Sequence, residues 1–217
     1  IISPRAIVSC GVYLTKTPNI IRPLAKDLLW SVPTKEKRVY LTFDDGPHPE
    51  ITLKVMELLS QYNAKATFFC VGENVRRFPG VVRALLDAGH VLGNHTEQHV
   101  NGWKTSTFDY ARNYLKCAEV IESRLFRPPY GRITKAQTDC LKSRCEIVMW
   151  DVLSADFDMK VNEEQCFQNV VRNVVEGSIV VFHDSEKAAP RMLKALPRVL
   201  ENLSNQGYEF HALKASI

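Results

Sequence analysis

Six side chains in this 217-residue sequence have the types and spacing to do chemistry together. Asp44 and Asp45 are adjacent carboxylates in "TFDDGPHP". His95 and His99 stand four apart in "GNHTEQHV", Arg127 precedes two prolines in "FRPPYG", and His183 closes the apolar run of "VVFHDS". Neighbouring side chains of an extended strand point to opposite faces, so Asp44 and Asp45 can act at one place only if the backbone turns there, and Gly46-Pro47 supplies a turn. Two crowded carboxylates also call for a cation between them or a shared proton. Imidazoles at i and i+4 meet on one side of a helical turn. Joined by Asp45, they form a two-His, one-Asp set that leaves coordination positions open for water, as a catalytic divalent site requires.

The His pair is not the zinc-protease pattern. That pattern needs Glu directly after the first His, on a continuous helix. Here Thr96 holds that place, Glu97 comes one position late, and the flanks "VLGN" and "VNGWKTS" are loop-like. Glu97 is therefore expected at the surface or behind the ligands, dispensable as Gln. The residue before a proline is held extended, so "RPPYG" is stiff and can fix the Tyr130 N–H as an oxyanion donor. His183 has the place of a general acid.

These residues need elements that deliver them to one rim. β-Branched and aromatic runs at 38–43, 65–71, 90–95, 125–127, 146–152, 177–183 and 208–213 alternate with helical patterns at 50–62, 79–89, 106–124, 134–143, 162–174 and 189–207. Alternation of this kind predicts an α/β fold with a parallel sheet covered on both faces, open or closed into a barrel. Pro197 predicts a kink or break in the last helix. Asp44, His95, Arg127, Asp151 and His183 all follow strand runs, and carboxyl ends of parallel strands converge on one rim. Residues 1–37, with four prolines, read as a partly irregular N-terminal arm, and 38–217 as the catalytic domain.

Composition excludes several classes. The apolar fraction of 45%, charged fraction of 24% and formal charge of +4 are those of an ordinary globular chain. No basic run is interleaved with aromatics, which argues against nucleic acid. No apolar stretch is long enough to cross a bilayer as a transmembrane segment. "IISPRAIVSCGVYL" lacks a signal-peptide layout. The six cysteines, Cys10, Cys70, Cys117, Cys140, Cys145 and Cys166, contain no C-x-x-C pair and read mainly as small buried hydrophobes rather than bridges.

In order and spacing, "TFDDGP", "HTEQH", "RPPYG" and "VVFHDS" resemble the successive motifs of the polysaccharide deacetylases, carbohydrate esterase family 4 or the NodB homology domain. The resemblance runs from about residue 38 to 213. It implies a distorted (β/α) barrel of about seven parallel strands. It also implies metal-dependent removal of acetyl groups from N-acetylated sugars of a peptidoglycan- or chitin-type polymer. By position, Asp44 matches the general base; Asp45, His95 and His99 match the ligands of one divalent metal, zinc with cobalt or nickel as substitutes. Arg127 matches the residue that holds Asp44, the Tyr130 N–H the oxyanion donor, and His183 the general acid. Pro129, Trp150 and Leu153 are the expected substrate contacts, with Phe157 beside them. By family habit such a protein works in the cell envelope, the periplasm or outside the cell.

One motif departs. The family's D-x-x-D-W aligns with "LSADF": Leu153 replaces the Asp expected to support the acid His, Phe157 replaces Trp, and Asp156 is retained. Without a carboxylate beside it, His183 is expected to have a lowered pKa, unless Asp151 or Asp184 compensates. A weakened acid would suit an O-acetyl esterase of the acetylxylan type, whose alkoxide leaving group needs less protonation. Loss of the Asp is also what a silent glycan-binding member of the family would show.

Overall fold

The structure, a computed structural model, describes residues 14–18, 20 and 25–215. Among the described residues nine parallel strands are present: β1 (Leu28–Leu29), β2 (Arg38–Asp44), β3 (Thr67–Cys70), β4 (Val91–Asn94), β5 (Leu125–Phe126), β6 (Glu146–Val148), β7 (Val152–Leu153), β8 (Ile179–His183) and β9 (Glu209–Phe210). Between them run α1 (Ile51–Ser60), α2 (Gly72–Arg77), α3 (Pro79–Asp87), α4 (Thr107–Ala118), α5 (Lys135–Leu141), α6 (Glu163–Val171) and α7 (Ala189–Asn205). The strand order is β1-β6-β5-β4-β3-β2-β8-β7, with β9 paired to the start of β2. The expected (β/α) barrel is present in distorted, curled form.

Three sequence expectations are corrected. The run 146–152 is two strands, because β6 pairs with β5 and β1 whereas β7 pairs with β8 at the other end of the sheet. Met149, Trp150 and Asp151 carry the chain from one sheet end to the other, so the sheet must curl until its ends nearly meet. Pro197 does not break α7, which runs through it from Ala189 to Asn205. Finally, α2 and β1 have no counterpart among the predicted elements.

Strand periodicity explains which residues reach the site. On β2, Val39, Leu41 and Phe43 join the large core beneath the helices, while Thr42 and Asp44 face the interior of the curled sheet. Phe43 stacks on Phe68 and Phe182, with ring centroids 5.0 and 5.9 Å away. β2 and β8 are in register, Phe43 opposite Phe182 and Asp44 opposite His183. The same aromatic layer that fills the core therefore sets two polar residues side by side at the carboxyl rim.

Cys70, Cys117, Cys145 and Cys166 are free and buried, and Cys140 is free and exposed. Cys10 lies outside the described residues. None of the described helices is long and apolar enough to cross a membrane.

Candidate active site

Asp44 ends β2 almost fully buried, 4% exposed, and its Oδ1 accepts a hydrogen bond from Arg127 Nη1 at 2.7 Å. Arg127 is completely buried and fully tied down. Its Nη1 also donates to Thr42 Oγ1, Nη2 to Met149 O at 2.9 Å and Nε to Val148 O, while the guanidinium lies 4.2 Å from the Phe69 ring centre. A buried guanidinium with one carboxylate and two carbonyls around it has a single low-energy orientation, and Asp44 inherits it.

The backbone turns directly after Asp44. Asp45 has φ 83 and the Gly46–Pro47 bond is cis. The adjacent carboxylates therefore reach one rim, as the sequence requires. The Gly46 N–H donates to Asp184 Oδ1 at 3.0 Å, and a Cβ at Gly46 would meet Asp184 Oδ2 at 2.1 Å, so the approach needs glycine. Asp184 is spent on this turn, since its Oδ2 accepts from Thr52 Oγ1. Burial pushes its carboxyl up to about 7.

Asp45, His95 and His99 come together. One potential ligand atom from each lies within 4.8 Å of the others. Asp45 Oδ1 is 3.1 Å from His99 Nε2 and 3.8 Å from His95 Nε2. The residues between the histidines are not helical, as Thr96 has φ 64 and His99 has φ 52. His95 is buried, and its Nδ1 lies 2.7 Å from the carbonyl oxygen of Arg127. A carbonyl only accepts, so Nδ1 carries the proton and Nε2 offers its lone pair toward Asp45. Burial pulls the His95 pKa down to about 4, with His99 adding to the drop against the opposing pull of Asp44, which keeps the imidazole neutral. Burial works to raise the Asp45 pKa, but the hydrogen bond with His99 and the nearby His183 and His95 hold it well below the ordinary carboxylate range. A charged carboxylate and a neutral, pre-oriented imidazole fit a divalent cation such as zinc.

His183 ends β8 opposite Asp44. The expectation that it lacks a carboxylate is overturned. Asp156, fully buried, accepts from His183 Nδ1 at 2.7 Å and from the His183 backbone N–H at 2.8 Å. Burial would lower the imidazole pKa, but Asp156, with Asp45 and Asp44 beyond it, raises it to about 10. The aspartate retained in the fourth motif, Asp156, does the supporting. Phe157 meets the His183 ring edge-on, with centroids 5.3 Å apart.

Asp151 is also misplaced by the strand-end rule. Because 146–152 splits, Asp151 precedes β7 and lies at the opening end of β8, where its N–H donates to Ile179 O. It pairs there with Lys16 Nζ and Ser178 Oγ, both at 2.6 Å. Of the two places expected for Glu97, the surface or behind the ligands, it is not at the surface: it is buried between Arg76 and Lys116.

Tyr130 has φ 60, and among the described residues its N–H makes no hydrogen bond. Its ring packs edge-on against His99 at 4.6 Å and its hydroxyl lies 3.1 Å from His99 Nδ1, a contact that motif reading did not anticipate. Pro129 and Leu153 are buried and Trp150 is partly buried, with its ring tip where a Cβ on Gly131 would fall. A cleft opens beside Asp45, between Asn74, Arg77 and Phe78 on one side and His48, Ser185 and Glu186 on the other.

The chain is similar in sequence and fold to known proteins. The family model described as polysaccharide deacetylase matches residues 31–144. A peptidoglycan-N-acetylglucosamine deacetylase of Bacillus cereus is 37% identical over 188 residues, covering 83% of this chain and 88% of that protein. The crystal structure of the Bc1960 peptidoglycan N-acetylglucosamine deacetylase superposes with a TM-score of 0.83 at 32% identity, covering 91% of this chain and 95% of the other. A family 4 carbohydrate esterase from Streptomyces lividans, in complex with acetate, gives a TM-score of 0.74 at 27% identity, with 84% and 97% covered.

Proposed function

From the premise that the chain belongs to the polysaccharide deacetylase family, we propose that it hydrolyses the acetamide of N-acetylglucosamine residues in a peptidoglycan-type polymer. The observation that carries this reading is the register pairing of Asp44 with His183 beside the Asp45–His95–His99 cluster. It puts a carboxylate and a cationic imidazole on either side of one space, together with the donor set of a divalent ion. The similar proteins named for peptidoglycan N-acetylglucosamine support the choice of substrate.

A divalent cation held by Asp45, His95 and His99, zinc in the first instance, would supply Lewis acidity to the acetyl carbonyl and to water. The chain's own residues do the rest. Asp44, locked by Arg127, accepts the proton of the attacking water. The Tyr130 N–H, which spends no hydrogen bond within the described fold, donates to the oxygen that gains charge as the carbonyl becomes tetrahedral. His183, protonated through its bond to Asp156, gives its Nε2 proton to the departing nitrogen as the C–N bond breaks. Acetate and a free amine leave. The contact of Phe157 with the His183 ring supplies an apolar wall suited to the acetyl methyl.

An amide needs a competent acid more than an ester does, because an amine anion is the poorer leaving group. The Asp156–His183 bond thus favours N-deacetylation over the acetylxylan-type alternative, and it removes the argument for a silent glycan binder.

The test is acetate release from N-acetylglucosamine oligomers and peptidoglycan fragments, with acetylxylan alongside and zinc or cobalt added. Asp44→Asn should cut turnover by about 10²-fold or more while metal stays bound, since the three donor residues are untouched. Absence of acetate from every substrate by the metal-loaded wild type would refute the reading.

A further inference from the structure

The two imidazoles that face Asp45 hang from a loop, residues 95–99, that no helix or strand holds. Two of its non-glycine residues, Thr96 and His99, sit in the left-handed region, an arrangement that persists only when surrounding contacts impose it. The contacts converge on Glu97. This carboxylate is 1% exposed and lies between α2 and α4. Its Oε1 lies 3.1 Å from Arg76 Nε on α2 and 3.4 Å from Lys116 Nζ on α4. Arg76 then ties the helices to each other, donating through Nη2 to Lys116 O and to Glu119 Oε2, both at 3.1 Å. Glu97 Oε2 rests over Gly72, where a Cβ would stand only 2.1 Å away.

The main chain is gripped from the same two helices. Gly72 N–H donates to Thr96 O and Glu73 N–H to Glu97 O, while Glu97 N–H donates to Asn113 O on α4. A buried carboxylate is a poor way to gain stability alone, because desolvation opposes the Coulomb attraction. An apolar anchor of the same volume would hold the loop at least as firmly. What the charge adds is one defined position, since Glu97 Oε1 meets both cations only there, while Oε2 is buried over Gly72 without a hydrogen-bond partner among the described residues.

We propose that Glu97, clamped by Arg76 and Lys116, is a positioning residue for the His95–His99 ligand pair and sets the affinity and geometry of the bound metal. The inference rests on reading Asp45, His95 and His99 as ligands, and it reverses the sequence expectation that Glu97→Gln would be nearly silent. Outer partners of ligating histidines act on metal affinity by about 10- to 100-fold, and Glu97 acts on two such histidines through the backbone between them.

The experiment is equilibrium titration of the full chain with Co(II), followed by its visible d–d absorption, and with Zn(II) in competition against a chelator. No substrate is involved. Glu97→Gln and Arg76→Met should each weaken Co(II) affinity by about tenfold or more and change the position or intensity of the d–d bands. Arg76→Lys, which keeps a charge near Glu97, should recover part of both. Arg76 is half-exposed, so its variants answer the question even where Glu97→Gln does not fold. Folded variants with wild-type Co(II) affinity and an unchanged spectrum would overturn the clamp, and Glu97 would be an ordinary structural ion pair. A wild type that binds neither metal would instead overturn the ligand assignment beneath it.

Discussion

At the scale of single residues, His183 and Asp156 decide the pH range of the chemistry. His183 must be protonated to act as the acid, and Asp156 raises its pKa to about 10, against an ordinary 6.5 and despite the burial that lowers it. The wild-type acid is therefore charged throughout the neutral range. Asp156→Asn keeps a carbonyl oxygen for the imidazole but removes the charge. The basic limb of kcat/KM should then move toward neutral pH by one unit or more, with much smaller losses at pH 5 to 6. An unchanged basic limb would mean that another group is the acid. The same shift enters stability. A folded-state pKa above the unfolded one contributes stability fully present below about 6.5 and lost as pH rises toward about 10, so the protein should melt lower at pH 10 than at pH 6, and by a smaller margin in Asp156→Asn. The residues of this site were legible as types and order: Asp44, Asp45, His95, His99, Arg127 and His183 all converge at one rim. Their supports were not. Asp156, the Tyr130 hydroxyl and the buried Glu97 meet their partners through turns with positive φ and through side chains remote in sequence, and neither leaves a periodic trace.

At the scale of elements, the site depends on two strands held in register by what they bury. β2 and β8 bring Asp44 opposite His183 because Phe43 and Phe182, one residue earlier, stack in the core with Phe68 behind them. Phe182 is fully buried. Phe182→Ala should cost about 3–5 kcal/mol through lost transfer energy and a cavity, measured by urea denaturation. Because the cavity lies beneath the strands, turnover per folded molecule should also fall, and by more than metal affinity does, since two of the three ligands, His95 and His99, hang from another segment. Equal turnover per folded molecule would show that register survives without the stack. The longer elements were visible from their patterns: α4 lies inside the helical pattern at 106–124 and opens on Ser106, whose side chain accepts from the Asp109 N–H. What patterning could not see is pairing. A run such as "EIVMWDV" is equally apolar whether it is one strand or two, and only the partners available at the two sheet ends divide it. The six-residue α2 is too short to show a period of 3.6.

At the scale of the whole molecule, the open question for any curled sheet is how its exposed edge is covered. β6 and β7 are joined by three residues yet belong to opposite ends of the strand order, and among the described residues the outer edge of β7 has no strand beside it. Residues 15–17 lie along that edge. Leu153 N–H donates to Thr15 O, Thr17 N–H donates to Asp151 O, and Lys16 forms an antiparallel bridge with Val152. Lys16 Nζ also pairs with Asp151 at 2.6 Å and donates to Asn173 O at the end of α6. The segment read as an irregular arm thus supplies, at 15–17, an edge cover, and at Leu28–Leu29 a further strand on β6. Paired edges resist strand addition by other chains, so this cover bears on solubility as well as on stability. Lys16→Met keeps most of the side chain's length and removes the charge, leaving Asp151, which is fully buried, with Ser178 as a remaining partner. Removing one member of a buried pair costs several kcal/mol, but Lys16 is about one-third exposed and its share is screened, so about 1–3 kcal/mol is expected by urea denaturation. Asp151 sits at the opening end of β8, four residues along the strand from His183. Metal affinity and kcat of the folded variant should therefore stay at wild-type values, and a fall in either without loss of stability would show that the amino-terminal end of the sheet is coupled to the catalytic rim.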